Sequence, residues 1–256
     1  MNEKNTVFDT ISEISSNVPK VYEAGYAKGE KEGYDAGAKS EYDAFWDAYQ
    51  NKGDKREYYF CFSGTAWNDK TFKPKYDITM THSGIYTFAY NAVTDIAESL
   101  NGCGVSLDTS GVKNASYLFY AARTKSLPVI DLSTATNLTY AFADNGWLER
   151  IEKLVFSSNI TTTSQCFTGC KKLKDVAFEG EMISSLSMSS CEVLSADSIA
   201  SLFGCLSDSA SGKKLTLSKA AVDKGFEINE GANDGSGATV WLMLVDSKPN
   251  WTISLV

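Results

Sequence analysis

The chain has 256 residues, of which 43% are hydrophobic and 12% aromatic, so it can bury a sizeable core and is not expected to be disordered overall. Its formal charge of -8 and its lack of any basic stripe argue against binding to a nucleic-acid backbone. The longest apolar stretches are too short to cross a bilayer, so we expect no membrane insertion.

Residues 1–52 are predicted to form an N-terminal helical stalk. Apolar residues from Val7 to Val21 recur at intervals of four and three, a heptad spacing that favours self-association. The stripe continues as a glycine at every fourth position: Gly25, Gly29, Gly33 and Gly37. Four glycines cost a helix roughly 3–4 kcal/mol relative to alanine, so their regular spacing predicts close backbone packing and oligomerisation. A glycine-rich linker without fixed structure is the alternative interpretation.

Residues 53–80 are predicted to form a linker and an N-terminal cap. The stretch 56–76 alternates between apolar and polar residues like one strand or a hairpin. Trp67 and Phe72 are expected to cover the domain that follows.

Short strand-like pieces recur through residues 81–212. Their second inward apolar residues are Leu107, Leu132, Phe156 and Phe178. An aromatic residue returns between or after the strands, at Phe119, Phe142, Phe167 and Phe203. One strand and one short helical or turn segment per 22–25 residues is the period of a leucine-rich-repeat solenoid. The predicted fold class is therefore α/β, a leucine-rich-repeat solenoid with parallel strands, preceded by the helical or coiled-coil stalk.

Alternation along the strands predicts which side chains face outward: Ser106, Asp131, Val155, Ala177 and Thr216. Small side chains form a shallow surface, which suits a large partner better than a small ligand. These five are the predicted ligand-facing residues. Close strand packing is the other interpretation of their small size.

The spacing becomes irregular towards the end of the chain. An interval of 39 residues separates Phe178 from Leu217, and it predicts an extra strand and a longer helix capped by Ser195. Residues 213–256 are predicted to form a C-terminal cap that hides the core from water. Its pattern indicates a strand running into a helix, a loop, an apolar helix and a last strand.

Segments such as LPVIDLSTATNLTYAFADNGWLERIEKLVF and SQCFTGCKKLKDVAFEG resemble the BspA-like leucine-rich repeats of anaerobic Gram-positive bacteria and their prophages. The resemblance covers residues 77–256, and CFTGC is its most specific piece. It implies kinship with surface adhesins and, for a short protein, with phage tail appendages. It implies no catalytic residues.

No motif for catalysis, cofactor binding or metal binding is complete. SASGKKL at 209–215 lacks the glycine spacing and hydroxyl residue of a phosphate loop, and the loop before the last helix lacks the spacing of an EF-hand. Cys166 and Cys170 would need further thiolates to hold zinc, because His82 is the only histidine. We therefore predict buried thiols, no metal, no cofactor and no enzymatic activity.

Together these features predict a non-enzymatic recognition protein, namely a receptor-binding or fibre-like component of a phage tail. Its partners would be a host cell-surface protein or glycan and, through the N-terminal region, other virion proteins and copies of itself. Because the chain start MNEKNTVFDTISEISS does not resemble an export signal, we expect synthesis in the bacterial cytoplasm and assembly into the virion.

Two alternatives remain open. The first is a bacterial BspA-like surface adhesin or protein-interaction module, located at the cell surface. The second is a tail-associated glycan hydrolase, which would need a cleft lined by paired acids.

Overall fold

The computed structural model describes residues 77–80, 83–91, 93–228 and 236–256, which belong to one compact unit. Within these ranges the chain forms eight strands and four helices. In chain order they are β1 (Ile78–Thr79), α1 (Ile96–Cys103), β2 (Leu107–Asp108), β3 (Ser126–Asp131), β4 (Arg150–Phe156), β5 (Asp175–Gly180), β6 (Leu186–Met188), α2 (Ala196–Cys205), β7 (Lys213–Leu217), α3 (Lys219–Gly225), α4 (Ser236–Asp246) and β8 (Trp251–Leu255).

The strands divide among three short parallel sheets, β1-β2, β3-β4-β5 and β6-β7-β8. The predicted leucine-rich-repeat solenoid is therefore wrong, because one continuous strand ladder does not form. The observed fold is mixed α/β, with several short parallel sheets and four helices in the described residues.

Hydroxyl side chains supply the physical reason for the breaks between sheets. The Val176 N–H donates to Ser198 Oγ at 2.8 Å and the Phe178 N–H to Ser201 Oγ at 3.2 Å, so α2 satisfies two backbone groups along β5. Beside β2, Thr109 Oγ1 donates to the Asp131 carbonyl at 2.8 Å. A backbone group that is already hydrogen-bonded to a side chain does not need to pair with a neighbouring strand. Each sheet therefore ends at these positions.

The core is built on columns of stacked aromatic rings. The ring centroids of Phe88 and Phe119 lie 5.0 Å apart, those of Phe119 and Phe142 5.7 Å, and those of Phe142 and Phe167 5.1 Å. All four side chains are fully buried. Removing one such ring typically costs about 3–5 kcal/mol of stability.

Most of the predicted inward residues are buried as expected. This group comprises Leu132, Phe156, Phe178, Phe119, Phe142, Phe167 and Phe203. Phe156 and Phe178 also stack, with centroids 5.6 Å apart. Leu107 differs, because it lies half-buried in the two-residue strand β2. The apolar pattern of the sequence thus located the core even though the predicted ladder is interrupted.

The extra strand and longer helix predicted within the 39-residue interval are confirmed as β6 and α2. Ser195 is the N-cap of α2, and its hydroxyl accepts a hydrogen bond from the Ser198 N–H at 3.3 Å.

Asp95 is the N-cap of α1, and its carboxylate accepts a hydrogen bond from the Glu98 N–H at 2.9 Å. Gly104, with φ of 66°, ends α1.

The strand, helices and last strand predicted at the C-terminal end are confirmed as β7, α3, α4 and β8. Trp241 of α4 is buried between Phe203 and Phe226, with 5.7 Å between ring centroids in both pairs. The Trp251 indole N–H donates to the Ser207 carbonyl at 2.9 Å. These two tryptophans attach the C-terminal elements to the rest of the domain.

The predicted N-terminal stalk lies outside the described residues, as do Gly25, Gly29, Gly33 and Gly37. Of the predicted linker and cap at 53–80, only 77–80 are described. None of the described helices has the length and apolar character needed to cross a membrane.

A tyrosine-rich face as the candidate functional site

Four turn segments of nine residues lie side by side and pair in parallel: 83–91, 114–122, 137–145 and 162–170. We call them the first to fourth turns. Equivalent backbone bonds join them, from the Tyr86 N–H to the Ser116 carbonyl (3.2 Å), from Tyr117 to Thr139 (2.9 Å) and from Tyr140 to Ser164 (2.9 Å). Corresponding positions therefore form columns, and the buried phenylalanines described above are one of these columns.

Each turn begins with a residue whose side-chain oxygen accepts a hydrogen bond from the backbone N–H two residues later. These residues are Ser83, Asn114, Asn137 and Thr162. Serine, asparagine and threonine stabilise turns in this way because their short side chains reach the local backbone. Small polar residues recurring in the sequence thus start each turn in the same register.

The column of outward residues two positions before the phenylalanines consists of Tyr86, Tyr117, Tyr140 and Gln165. Their φ angles are 56°, 56°, 55° and 53°, all in the left-handed region. A residue other than glycine costs about 1–3 kcal/mol in such a conformation. Gln165 shows that this backbone accepts an ordinary polar side chain, so the backbone alone does not explain three tyrosines.

The three tyrosine rings stack on one another. The centroids of Tyr86 and Tyr117 lie 4.4 Å apart at an interplanar angle of 11°, and those of Tyr117 and Tyr140 lie 4.9 Å apart at 9°. All three side chains are half-buried. Where two rings stack, their facing surfaces are covered, so the column offers ring edges and hydroxyl groups to solvent.

Two further tyrosines extend this surface sideways. The Tyr120 ring meets those of Tyr90, Tyr117 and Tyr140 edge to face, with centroids 5.3, 5.4 and 6.1 Å apart. Tyr90 is 53% exposed. We define the tyrosine face as Tyr86, Tyr90, Tyr117, Tyr120 and Tyr140.

The surroundings of two hydroxyl groups of this face, those of Tyr86 and Tyr120, raise their pKa values. A bond from the Tyr120 hydroxyl to Asp144 is the largest of the effects that raise the pKa of Tyr120 to about 12. Burial, followed by the proximity of Tyr117, raises the pKa of Tyr86. Both shifts favour the neutral phenols of Tyr86 and Tyr120, which can donate or accept hydrogen bonds.

A second surface is an open groove of about 680 Å³ between α1 and the starts of β3 and β4. Its charged lining residues are Glu98, Arg150 and Glu152. Two carboxylates in one groove are the residues that acid-base chemistry on a glycan would need, although a guanidinium also lines the groove.

The predicted ligand-facing residues do not form one row. Asp131 and Val155 are register partners in β3 and β4. Ala177 lies in β5 opposite a register shift, so Val155 pairs with Glu179 instead. Ser106 precedes β2 and bonds to Asp77, and Thr216 belongs to the separate β6-β7-β8 sheet. The structure therefore brings together only two of the five, and their role in binding stays a prediction.

The thiols are mostly buried, as predicted. Cys166, Cys170, Cys191 and Cys205 are buried and free, whereas Cys103 is exposed. Burial raises the pKa of Cys170 to about 12 and holds those of Cys166 and Cys191 well above the usual range. In the part of the chain that the structure describes, no group of three or more histidine, cysteine or acidic residues is arranged to hold a metal ion.

Sequence analysis identified three members of the phenylalanine column, Phe119, Phe142 and Phe167, but it missed Phe88 and the tyrosine face. The signal was present, because a tyrosine stands two residues before the phenylalanine in YTF, YLF and YAF. The alignment of the turns was needed to show that these tyrosines lie in one column.

The chain matches no protein-family profile, no curated protein and no solved structure.

Proposed function

We propose that this protein is a non-enzymatic recognition protein that binds a cell-surface protein or glycan through the tyrosine face. The observation that carries the proposal is the presence of tyrosine at three of four equivalent left-handed positions, where Gln165 shows that the backbone does not require it. Residues in sparsely populated backbone conformations cluster at functional sites, where the surrounding structure holds them in place. The placement in a phage tail rests on the sequence resemblance alone.

The chemistry of the face suits a large, neutral partner. Tyrosine combines an apolar ring with a hydroxyl group, loses little side-chain entropy and is enriched among the residues that dominate binding energies. Because stacked rings cover one another and Tyr120 is held by Asp144, the surface is organised before a partner arrives. Pre-organisation lowers the entropic cost of binding.

The test is binding of the labelled full-length chain to a panel of intact Gram-positive bacteria. In a triple variant, Tyr86, Tyr117 and Tyr140 are each replaced by glutamine, the residue that Gln165 shows to fit this backbone. We expect affinity to fall roughly 100-fold, because three interface tyrosines at about 1 kcal/mol each contribute about 3 kcal/mol. Glu192→Gln, an exposed change elsewhere, is the matched control and should bind like the wild type.

Two results would count against the proposal: wild-type protein that binds none of the cells, or a folded triple variant that binds as tightly as the wild type. Treating the cells beforehand with protease or with periodate then distinguishes a protein partner from a glycan. A surface adhesin would use the same face, and its own location on the bacterial surface would separate it from a tail component.

The groove with Glu98 and Glu152 is the observation that favours the glycan-hydrolase alternative. Under the recognition proposal, incubation with host wall polysaccharide releases no sugar. Sugar release that is lost in both Glu98→Gln and Glu152→Gln would favour hydrolysis instead.

A further inference from the structure

The last strand, β8, has an open edge. It pairs with β7 on one side, and no strand within the described ranges pairs with its other side. Val256 directs its backbone groups towards β7: its N–H donates to the Leu217 carbonyl at 3.1 Å, and its carbonyl accepts from the Lys219 N–H at 2.8 Å. Successive residues of a strand direct these groups to opposite sides. Ile253 and Leu255 therefore point theirs towards the open edge.

Within the described residues, the apolar interior of this sheet also ends at β8. One row across the sheet runs from Leu186 to Leu215 to Ile253, and the next runs from Met188 to Leu217 to Leu255. The residues of β6 and β7 in both rows are fully buried, whereas Ile253 is only half-buried and Leu255 is 36% exposed. Side chains of one row share one face of the sheet, so this gradient marks β8 as the edge of the packed interior in the described part of the chain.

The sequence of this edge lacks two of the usual devices that keep strands apart, charged residues and proline. Residues 251–256 contain no charged residue and no proline, although the whole chain has a formal charge of -8. Natural proteins protect open edges with lysine, proline, bulges or a covering segment, because unpaired backbone groups bind other strands. Two copies of an acidic protein repel one another, and this neutral strand is a part of the surface where they can approach without like charges meeting.

We propose that two copies of this chain pair through β8 in antiparallel orientation, about a two-fold axis at Ile253. In this register Ile253 of one copy faces Ile253 of the other, and Leu255 faces the partner's Trp251. The two isoleucines then exchange both backbone hydrogen bonds, because the groups that they need are those pointing to the open edge. A shift by one residue would place the apolar side chains on the wrong face.

The same register continues the apolar rows into the second copy. Because a two-fold axis perpendicular to the sheet keeps both inner faces on one side, Leu215 and Ile253 of one copy are followed by Ile253 and Leu215 of the other. A five-residue strand edge, about 17 Å long, gives a small interface, so we expect a dissociation constant in the micromolar range. The dimer would carry two tyrosine faces, and the proposal stands independently of what those faces bind.

The test measures self-association of the full-length chain by sedimentation equilibrium between about 1 and 200 µM. Ile253→Pro removes an N–H that faces the open edge and leaves the bonds to β7 intact, so it should weaken association at least 100-fold. Ile253→Val keeps the apolar strand and is the matched control.

A charge exchange identifies the register. Ile253→Lys and Ile253→Glu should each lose the association through β8, because like charges meet at the axis, while an equimolar mixture should regain it. Wild-type protein that stays monomeric up to about 200 µM would overturn the proposal. So would association that is unchanged in the proline and lysine variants, since it would then arise from another surface.

Hydrogen exchange of the wild type gives a readout that does not depend on any variant folding. The backbone amides of Ile253 and Leu255 should become protected as the protein concentration rises from about 1 to 100 µM. Equal exchange at both concentrations would contradict the proposed pairing.

Discussion

At the scale of single residues, the main finding is that bulky side chains occupy left-handed backbone. The eighth residue of each turn also has a left-handed backbone, and these residues form a second column. Its members are Tyr90, Ala121, Asp144 and Gly169, with φ between 51° and 78°. A side chain at Gly169 would come within 2.9 Å of the Asp144 carboxylate, so glycine is required at that position. The Asp144 carboxylate accepts a hydrogen bond from the Tyr120 hydroxyl. Asp144 and Gly169 are thus explained by the contact that one side chain makes and by the lack of space for the other.

This hydrogen bond predicts the titration of Tyr120. Replacing Asp144 by alanine, which Ala121 shows to fit this backbone, should lower the pKa of Tyr120 from about 12 towards 10. Because the folded pKa lies above the ordinary value of 10, the stabilising effect is complete below pH 10 and is lost as the pH rises to about 12. The unfolding free energy of the wild type should therefore fall across that window, and that of the variant should fall less.

The measurement is the pH dependence of the tyrosine ¹³Cζ chemical shifts, with the Tyr120 signal assigned through a Tyr120→Phe variant. Asp197→Asn, in the first turn of α2, is the control and should leave the titration unchanged. An identical Tyr120 titration with and without Asp144 would show that the hydrogen bond is not the cause.

At the scale of elements, specific contacts explain where the β3-β4-β5 sheet ends. α2 lies beside β5 and supplies hydroxyl groups where the next strand would otherwise pair. Gly180 ends β5 with φ of 83°, and a Cβ atom there would lie 2.2 Å from the Phe156 carbonyl oxygen. The last residues of β4 and β5 can therefore approach only because this side chain is absent.

Gly180→Ala should destabilise the protein by about 3 kcal/mol or more, because strain in the left-handed region adds to a clash with backbone. Gly204→Ala is the matched control: apart from the adjoining residues and backbone of α2, no atom lies within 4 Å of its added Cβ, so it should stabilise the helix by about 0.5–1 kcal/mol. Urea denaturation followed by circular dichroism measures both. Equal stability of Gly180→Ala and the wild type would refute the close approach of β4 and β5.

At the scale of the whole molecule, the reactivity of the buried thiols indicates whether the core is folded. Cys166 and Cys170 lie in the fourth turn beside Phe167, while Cys191 and Cys205 lie in the following region. Burial raises the pKa of all four thiols. Since the reactive species is the thiolate, these groups are expected to be inert while the domain is folded.

Reaction with Ellman's reagent at pH 8, in a Cys61→Ser background, should modify Cys103 quickly and the four buried thiols only as the protein unfolds. For Cys170, a pKa of about 12 in place of 9 lowers the thiolate fraction roughly 1000-fold, before access is considered. Quenching the reaction at successive times and assigning the modified cysteines by mass spectrometry would measure the rate at each site. Fast modification of a buried cysteine in the native protein would contradict the packing of the core.

The sequence by itself determined the local features of this protein. Apolar periodicity identified the buried phenylalanines and leucines, Ser195 indicated the start of α2, and the C-terminal pattern predicted α3, α4 and β8. These features depend on contacts near in the chain or on which side chains avoid water, and a single sequence records both.

Only the tertiary structure decided how the strands group and where the tyrosine face lies. Whether β5 continues its ladder depends on Ser198 and Ser201, more than 20 residues away, because their hydroxyl groups compete with a strand for the same backbone N–H groups. The tyrosines likewise become one surface only when the turns align in register, which sets Tyr86, Tyr117 and Tyr140 within 5 Å of their neighbours. Pairing between distant segments is a property of the folded chain, and spacing along the sequence does not specify it.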